Sequence, residues 1–504
     1  MSELFFDIDK ESTVPMYRQI AETMIDGIRH GTLSPKHALP SSRELADQLD
    51  VSRNTVNLAY QELMAQGYVA SQERRGIFVT PDLTPELVPE PPPADIDQEQ
   101  AQGIDWSRRL PPPADAHVPD LVKPASWFEA PYPFIVGQVE NRSFPVRGWQ
   151  RCLREAMYGP HLRQSVMDSS GVDDPYLVEM IRTRLLPSRG VDAAAEEIMI
   201  TLGTQHGMHL VSNAVLGPGS RVLLEDPGYL DARHILLRSG AHIERLPVDG
   251  EGAVVPASLR GVELALLTPS HHCPTNVTLS RGRREQLLEL AQESGTIVVE
   301  DDHDAEFRYH GQPSPSLKAL DVHGHVVHLG SFSKFLAPGL RLGFLVGPAP
   351  LLEHLRRDMR YSVRHVPGQV QRAMALFLDS GDYHRALRLH REEMRRKWQL
   401  MTTAAEEFFP FPAGPFPPGG LTLWCQGPYG LDVAGVVEEA ARHGVLLEAG
   451  EAFFSAPEAS GRHDPASSFR LGYGAIPAQR IRPGMAVLAD VLRAAGAGTL
   501  STRG

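Results

Sequence analysis

The chain has 504 residues, of which 42% are hydrophobic and 22% charged, and a formal net charge of −13. That length predicts two or three domains of ordinary globular composition, and the acidic balance excludes blanket affinity for nucleic acid, so any DNA contact must come from a local patch. No apolar run reaches the roughly 18 residues that span a bilayer. The acidic start Met1–Asp7 is unlike a secretory signal, and Cys152, Cys273 and Cys425 lie too far apart for a metal or disulfide spacing. A cytoplasmic location fits these features, and no membrane partner is expected.

Residues 11–80 carry short helical patterns followed by a hairpin. Between Leu39 and Leu63, two short helices flank a tight turn. Ser41 with Glu44 predicts a capping box for the first helix. Ser52 caps the second, whose apolar face carries Val56, Ala59, Tyr60 and Leu63. Leu45, Ala46, Leu49 and Val51 pack the two together. Gly67-Tyr68-Val69 then enters a hairpin that turns at Arg74-Arg75-Gly76 and returns through Ile77-Phe78-Val79. The pattern predicts a winged helix-turn-helix that lays its second helix in the DNA major groove. Arg53, Asn54 and Asn57 suit base edges, while Ser52, Thr55 and Arg43 suit phosphates. Residues 1–80 hold 8 Lys and Arg against 11 Asp and Glu, a net of −3. So few cations predict weak, salt-sensitive binding by a monomer, and a dimer on paired half-sites for useful affinity.

Residues 81–125 are rich in Pro, Asp and Glu, with Pro-Pro-Pro after both Glu90 and Leu110. Too few large apolar residues are present to offset ordering entropy, so a semi-extended linker is expected. From 126 to 495, apolar strand-like runs alternate with helical stretches. Examples are Glu197–Thr201, Ser220–Glu225, Glu263–Thr268, Thr296–Glu300 and His325–Gly330. This predicts an α/β domain on a mainly parallel sheet covered by helices.

The most informative stretch is Gly330–Phe344. It sets Lys334 between two serines, Ser331 and Ser333, on one side and an arginine, Arg341, seven residues on. An unprotonated lysine amine forms a Schiff base with an aldehyde, and two hydroxyls with a guanidinium suit a phosphate dianion. An aldehyde and a phosphate on one small molecule describe pyridoxal 5'-phosphate, whose ring nitrogen proteins commonly pair with a carboxylate. Asp301, at the end of the run Gly295–Glu300, stands where that carboxylate belongs. Thr201–Gly207 joins a strand to a helix, and amides at a helix N-terminus attract phosphate.

Two resemblances extend these readings. On Val14–Ile20 and Leu39–Leu63, residues 11–80 resemble a GntR-type winged helix. That implies DNA contacts at Arg43, Ser52, Arg53, Asn54, Thr55 and Asn57, with Arg75 and Gly76 in the wing. Departures are small: Ile77 stands where Thr is usual, and Ser34–His37 lacks the usual Pro-Gly. Residues 126–495 resemble fold-type I aminotransferases, with a small C-terminal α+β subdomain implied. The resemblance assigns Gly203, Thr204 and Gln205 to the phosphate cup and lays Tyr229 against the pyridine ring. It makes Arg470, in Ser468–Tyr473, the clamp for a ligand carboxylate. Two departures stand out. Cys273 replaces the usual Asn, with Asn276 in place of Gly, and His303 stands where relatives carry Tyr. His303 or Cys273 is left to reach the ring hydroxyl, with altered electronics that count against efficient transamination.

The whole layout resembles the MocR-like subfamily of GntR transcription regulators. It implies a head-to-tail, domain-swapped homodimer on double-stranded operator DNA, with the cofactor used for sensing rather than turnover. Lys334 would hold the cofactor as an internal aldimine, and an amine or amino-acid effector would replace it in an external aldimine while Arg470 grips the effector's acidic end. Taurine, GABA-like and ectoine-derived amines are the expected class, with a compatible solute or amino-sulfonate favoured. Two alternatives stand beside it: a working aminotransferase with accessory DNA binding, and a regulator of vitamin B6 synthesis that senses the cofactor itself.

Overall fold

The computed structural model describes residues 8–9, 12–35, 37–72, 75–80, 104–110, 113, 115, 118–119, 121, 123–311, 314–455 and 464–501. The turn residue Arg74 and residues 81–103 of the expected linker lie outside these. The chain divides into two compact units, Met1–Pro111 and Pro112–Gly504.

The first unit holds three helices, α1 (Met16–Arg29), α2 (Ser42–Leu49) and α3 (Arg53–Ala65), then strands β1 (Val69–Gln72) and β2 (Gly76–Val79) in an antiparallel hairpin. The expected capping box is formed in full. Ser41 N–H donates to Glu44 Oε2 at 2.8 Å, and Glu44 N–H donates to Ser41 Oγ at 3.2 Å. Ser52 Oγ caps α3 by accepting from Thr55 N–H at 3.1 Å. Asp50 ends α2 in the left-handed region at φ 49°, a conformation Asp tolerates better than most residues, and so sets the turn between the helices. Ile20, Met24 and Ile28 of α1 close a core with Leu45, Val56, Ala59, Tyr60 and Leu63. The Tyr60 hydroxyl donates to the Pro40 carbonyl at 2.6 Å, and Leu39 N–H donates to the Ile77 carbonyl at 2.8 Å, tying the wing to the chain before α2.

The second unit is built on an eight-stranded sheet: β3 (Ile198–Thr201), β4 (Arg221–Asp226), β5 (His242–Asp249), β6 (Gly252–Ala253), β7 (Leu264–Leu267), β8 (Ile297–Asp301), β9 (Val326–Ser331) and β10 (Gly343–Val346). The order across it is β3-β10-β9-β8-β7-β4-β5-β6, and β9 through β5 run parallel. Its runs are apolar throughout because both faces are covered. Alternate residues sort into separate cores. Leu264, Leu266 and Val299 pack on one side with Met208 and Val211, while Ala265 and Val298 pack on the other with Leu287 and Ala291. Strand β10 runs antiparallel to both neighbours, wedged between β3 and β9, and the short edge strand β6 is antiparallel to β5.

That wedge positions the site. Gly343 pairs with both Thr201 and Ser331, and Leu329 pairs with Asp301. The turn after β3, the end of β8 and the turn after β9 therefore meet at one edge. A Cβ on Gly343 would lie 2.8 Å from Gly203 Cα and from the Gly330 carbonyl oxygen, so only glycine permits this approach.

A smaller three-stranded antiparallel sheet, β11 (Thr422–Gln426), β12 (Glu448–Ala449) and β13 (Ser468–Gly472), lies nearer the C-terminus with helices Val433–Arg442 and Ala478–Ser501. The segment expected as linker is partly packed. Asp115 is buried, accepts from Arg238 Nε at 2.9 Å and lies 2.7 Å from His234 Nδ1, while Val118 is also buried.

Candidate cofactor site and nucleic-acid interface

A cavity of about 350 Å³ opens at the edge where these turns meet. Every cofactor residue expected from the sequence lines it: Gly203, Thr204, Gln205, Tyr229, Cys273, Asp301, His303, Ser331, Ser333, Lys334 and Arg341. Arg470 lines it too. These side chains come from segments up to some 270 residues apart, so their convergence is a property of the sheet register.

One end is shaped for phosphate. The helix Thr204–Val215 starts from Gly203, whose φ of 98° suits glycine. A Cβ there would sit 3.3 Å from Arg341 Nη2, which itself donates to the Leu202 carbonyl at 2.8 Å. Ser331 Oγ accepts from Ser333 N–H at 3.1 Å. Ser333 Oγ is buried with no hydrogen-bond partner among the described residues, and so is Asp301 Oδ1. A buried acceptor without a donor costs about 1–3 kcal/mol. A pyridinium N–H facing Asp301 and a phosphate oxygen facing Ser333 would satisfy both atoms. The residues fit pyridoxal 5'-phosphate.

His303 is held by two carboxylates. Its Nδ1 lies 3.2 Å from Asp301 Oδ2, and its Nε2 lies 3.8 Å from Asp304 Oδ1. His271 Nδ1 continues the chain, 3.1 Å from the same Asp304 oxygen. Burial alone would lower the basicity of His303, but Asp301 and Asp304 outweigh it and hold the imidazole above its usual range. Asp304 is likewise buried, yet His303 and His271 hold it well below the ordinary carboxylate range. His303 thus neutralises one oxygen of Asp301 and leaves the other for a ligand.

Cys273 faces Arg470, with Sγ 3.4 Å from Nη1. Burial pushes this thiol up to about 11, only partly offset by Arg470. Asn276, where glycine was expected, adopts φ 60° and donates from Nδ2 to Thr422 Oγ1 at 3.0 Å. Its role is to join the cofactor-side loop to β11. Arg470 stands opposite Glu448 in the small sheet, and its Nε donates to Glu448 Oε2 at 2.9 Å, with Nη2 on the same oxygen. Its guanidinium lies over Phe453, 4.3 Å from the ring centroid. The expected acid clamp therefore already holds a carboxylate of its own chain.

The lining residues that the sequence did not mark include Lys123, Asp231 and Glu448. Asp231 accepts from the Tyr229 hydroxyl at 2.8 Å and from Gln205 Nε2 at 3.3 Å. Its place two residues after Tyr229, in the first turn of a helix, was a usable signal. Lys123 sat in the expected linker, and nothing in the local sequence pointed Glu448 at a ligand.

In the first unit, Arg43, Ser52, Arg53, Asn54, Asn57, Arg75 and Gly76 are exposed, and Thr55 is half-buried. Arg53 Nε donates to Ser42 Oγ at 3.3 Å, bridging the two helices beneath the exposed face. The wing turns at Gly76, φ 109°, with the Arg75 guanidinium 5.8 Å from the centre of the Phe78 ring. The fold leaves the expected groove-reading face of α3 open.

Residues 16–79 match the family model described as bacterial regulatory proteins, gntR family, and residues 164–408 match aminotransferase class I and II. Over 484 residues, covering 95% of this chain and 96% of the relative, the chain is 37% identical to the HTH-type transcriptional regulator TauR of Rhodobacter capsulatus. The chain belongs to the MocR-like subfamily of GntR transcription regulators. The regulator is also 31% identical to the "Probable rhizopine catabolism regulatory protein MocR" of Rhizobium meliloti, over 76% of this chain and 75% of that one. Among solved structures it resembles LysN, the α-aminoadipate aminotransferase of Thermus thermophilus. That match has 26% identity and a TM-score of 0.69, covering 78% of this chain and all of LysN. The second unit is a fold-type I aminotransferase-like domain of the kind that binds pyridoxal 5'-phosphate, and the first is a DNA-binding helix-turn-helix.

Proposed function

We propose that this regulator senses a small amine bearing an acidic group, through pyridoxal 5'-phosphate held at Lys334, and converts its binding into a change in operator affinity. The unsatisfied pair of buried atoms, Asp301 Oδ1 and Ser333 Oγ, both on residues that line the Lys334 cavity, carries the reading. Bound there, the cofactor supplies an aldehyde for which Lys334 and an incoming amine compete. Asp301 accepts from the ring nitrogen and keeps it protonated. Ser331, Ser333, Arg341 and the amides of Gly203, Thr204 and Gln205 hold the phosphate. Tyr229 walls the ring, and Arg470 takes the acidic end of the effector. Cys273 turns toward Arg470 and His303 toward Asp301 and Asp304, so the two side chains that would donate to the ring oxygen are engaged elsewhere. That supports sensing over turnover. The domains are taken as 11–80, 81–125 and 126–495, with Arg53, Asn54 and Asn57 on base edges and Arg43, Ser52, Thr55, Arg75 and Gly76 on the backbone of paired half-sites in a homodimer.

An effector moves such an equilibrium only by its differential affinity for the two states, and a 100-fold preference is worth about 2.7 kcal/mol. The test is a visible-absorbance titration of the cofactor-loaded protein with taurine, GABA, β-alanine and diamino acids, run beside operator binding. An absorbance change and altered operator affinity for the same amine are expected, with both lost in Lys334→Ala. Sustained conversion of an amino acid with a keto acid overturns the sensor reading.

A further inference from the structure

We propose that Glu448 is a two-position carboxylate: it occupies Arg470 while the site lacks an effector, and is handed to Lys123 when the effector's acidic group takes Arg470. This rests on the amine-sensing reading and adds Lys123 and Glu448 as residues that select a monoanionic acid group, a sulfonate or a carboxylate.

Three observations support it. Glu448 and Arg470 face each other across β12 and β13, and each retains only 8% of its exposure. Glu448 Oε2 takes both Nε and Nη2 of Arg470, an edge on which a guanidinium binds an acid bidentately, and Cys273 Sγ lies on Nη1, so an external acid seated on the Nε edge displaces Glu448. Displacement alone would strand Glu448 as a buried unpaired charge, which typically costs about 3–5 kcal/mol. The cavity holds a second cation able to receive it. Lys123 lines the same cavity, donating from Nζ to the Val136 carbonyl, and its charged neighbours are Glu448, Arg470, Lys334 and Asp231. Burial works against the Lys123 charge, Glu448 supports it, and Arg470 and Lys334 oppose it. On its side, Glu448 is disfavoured as an anion by burial but held below its ordinary range by Arg470 and then by Lys123.

Charge counting gives the selectivity. Within the triad of Arg470, Lys123 and Glu448, two cations against one carboxylate leave one net positive charge, which a single monoanion neutralises. An effector without an acid group gains nothing from the exchange. Lys123 also lies in the stretch that enters this unit from the winged-helix side of the sequence, a few residues after the anchored Asp115.

The test is calorimetry on the full-length, cofactor-loaded protein. Three probes are used: taurine, propane-1-sulfonate (acid without amine) and propylamine (amine without acid). Glu448→Gln removes the internal competitor and should tighten both sulfonates about tenfold, a shift of about 1.4 kcal/mol, without changing propylamine. Lys123→Met should weaken both sulfonates by about tenfold or more, again sparing propylamine, and Lys123→Arg should restore them. In the Glu448→Gln background, Lys123→Met should have no further effect, because no carboxylate then needs a second seat. A Lys123→Met loss that persists in that background overturns the hand-over, as does a wild-type protein that takes up neither sulfonate. Failure of the amine-sensing reading looks different. In that case sulfonate binding still follows Glu448, while taurine and propylamine leave the visible absorbance of the cofactor unmoved.

Discussion

Replacing His303 with asparagine removes the one imidazole between Asp301 and Asp304. At an effective dielectric of about 20, the gross attractions are about 5 kcal/mol to Asp301 at 3.2 Å and about 4 kcal/mol to Asp304 at 3.8 Å. Burying the imidazolium opposes these by several kcal/mol, and His271 still reaches Asp304. A net loss of about 2–4 kcal/mol in the stability of this unit is expected, overlapping the lower part of the range of about 3–5 kcal/mol for removing one partner of a buried pair. The loss depends on pH with a definite sign. His303 has a raised basicity in the fold, so its stabilisation is complete below the unfolded value near 6.5 and disappears as pH rises through the folded value. Urea unfolding of full-length wild type and His303→Asn, followed by tryptophan fluorescence across this range, measures the difference. The gap should be widest on the acidic side and close on the alkaline side. A gap that stays constant with pH would refute the argument that the imidazole acts by its charge.

Gly203→Ala places a Cβ 3.3 Å from Arg341 Nη2 at a φ of 98° and adds about 1–3 kcal/mol of backbone strain, so a spectroscopic titration should show cofactor affinity reduced about tenfold or more. Unchanged affinity would mean that the turn relaxes freely. Arg43→Gln deletes one expected phosphate contact per winged helix, two per dimer, and should lower the slope of log affinity against log salt by about 1.8 without altering base preference. Leu63→Ala empties a fully buried position in the winged-helix core and should cost about 2–5 kcal/mol there. Hydrogen exchange of the α3 amides should then speed up while those of β8 and β9 stay protected, and equal acceleration in both units would contradict their independence as compact units.

Local chemistry made much of this regulator legible in the sequence. The capping box at Ser41 and Glu44, the apolar face Val56, Ala59, Tyr60 and Leu63, and the five apolar runs that became β3, β4, β7, β8 and β9 are patterns of short range. Helical and strand periods are written within a dozen residues, and a lysine directly after a pair of serines keeps its chemistry wherever the chain goes. Tertiary structure alone decided which charges meet. Glu448 finds Arg470 through the register of β12 against β13, across 22 residues of sequence. His303 meets Asp301 and Asp304 where the chain leaves β8, Asp301 being the last residue of that strand and the other two lying just beyond it. Lys123 reaches the cavity from a segment whose composition reads as linker, since burial against a distant surface leaves no periodic mark in so short a stretch. Ionic pairing is decided by angstroms between remote atoms, whereas propensity and periodicity speak only for neighbours along the chain.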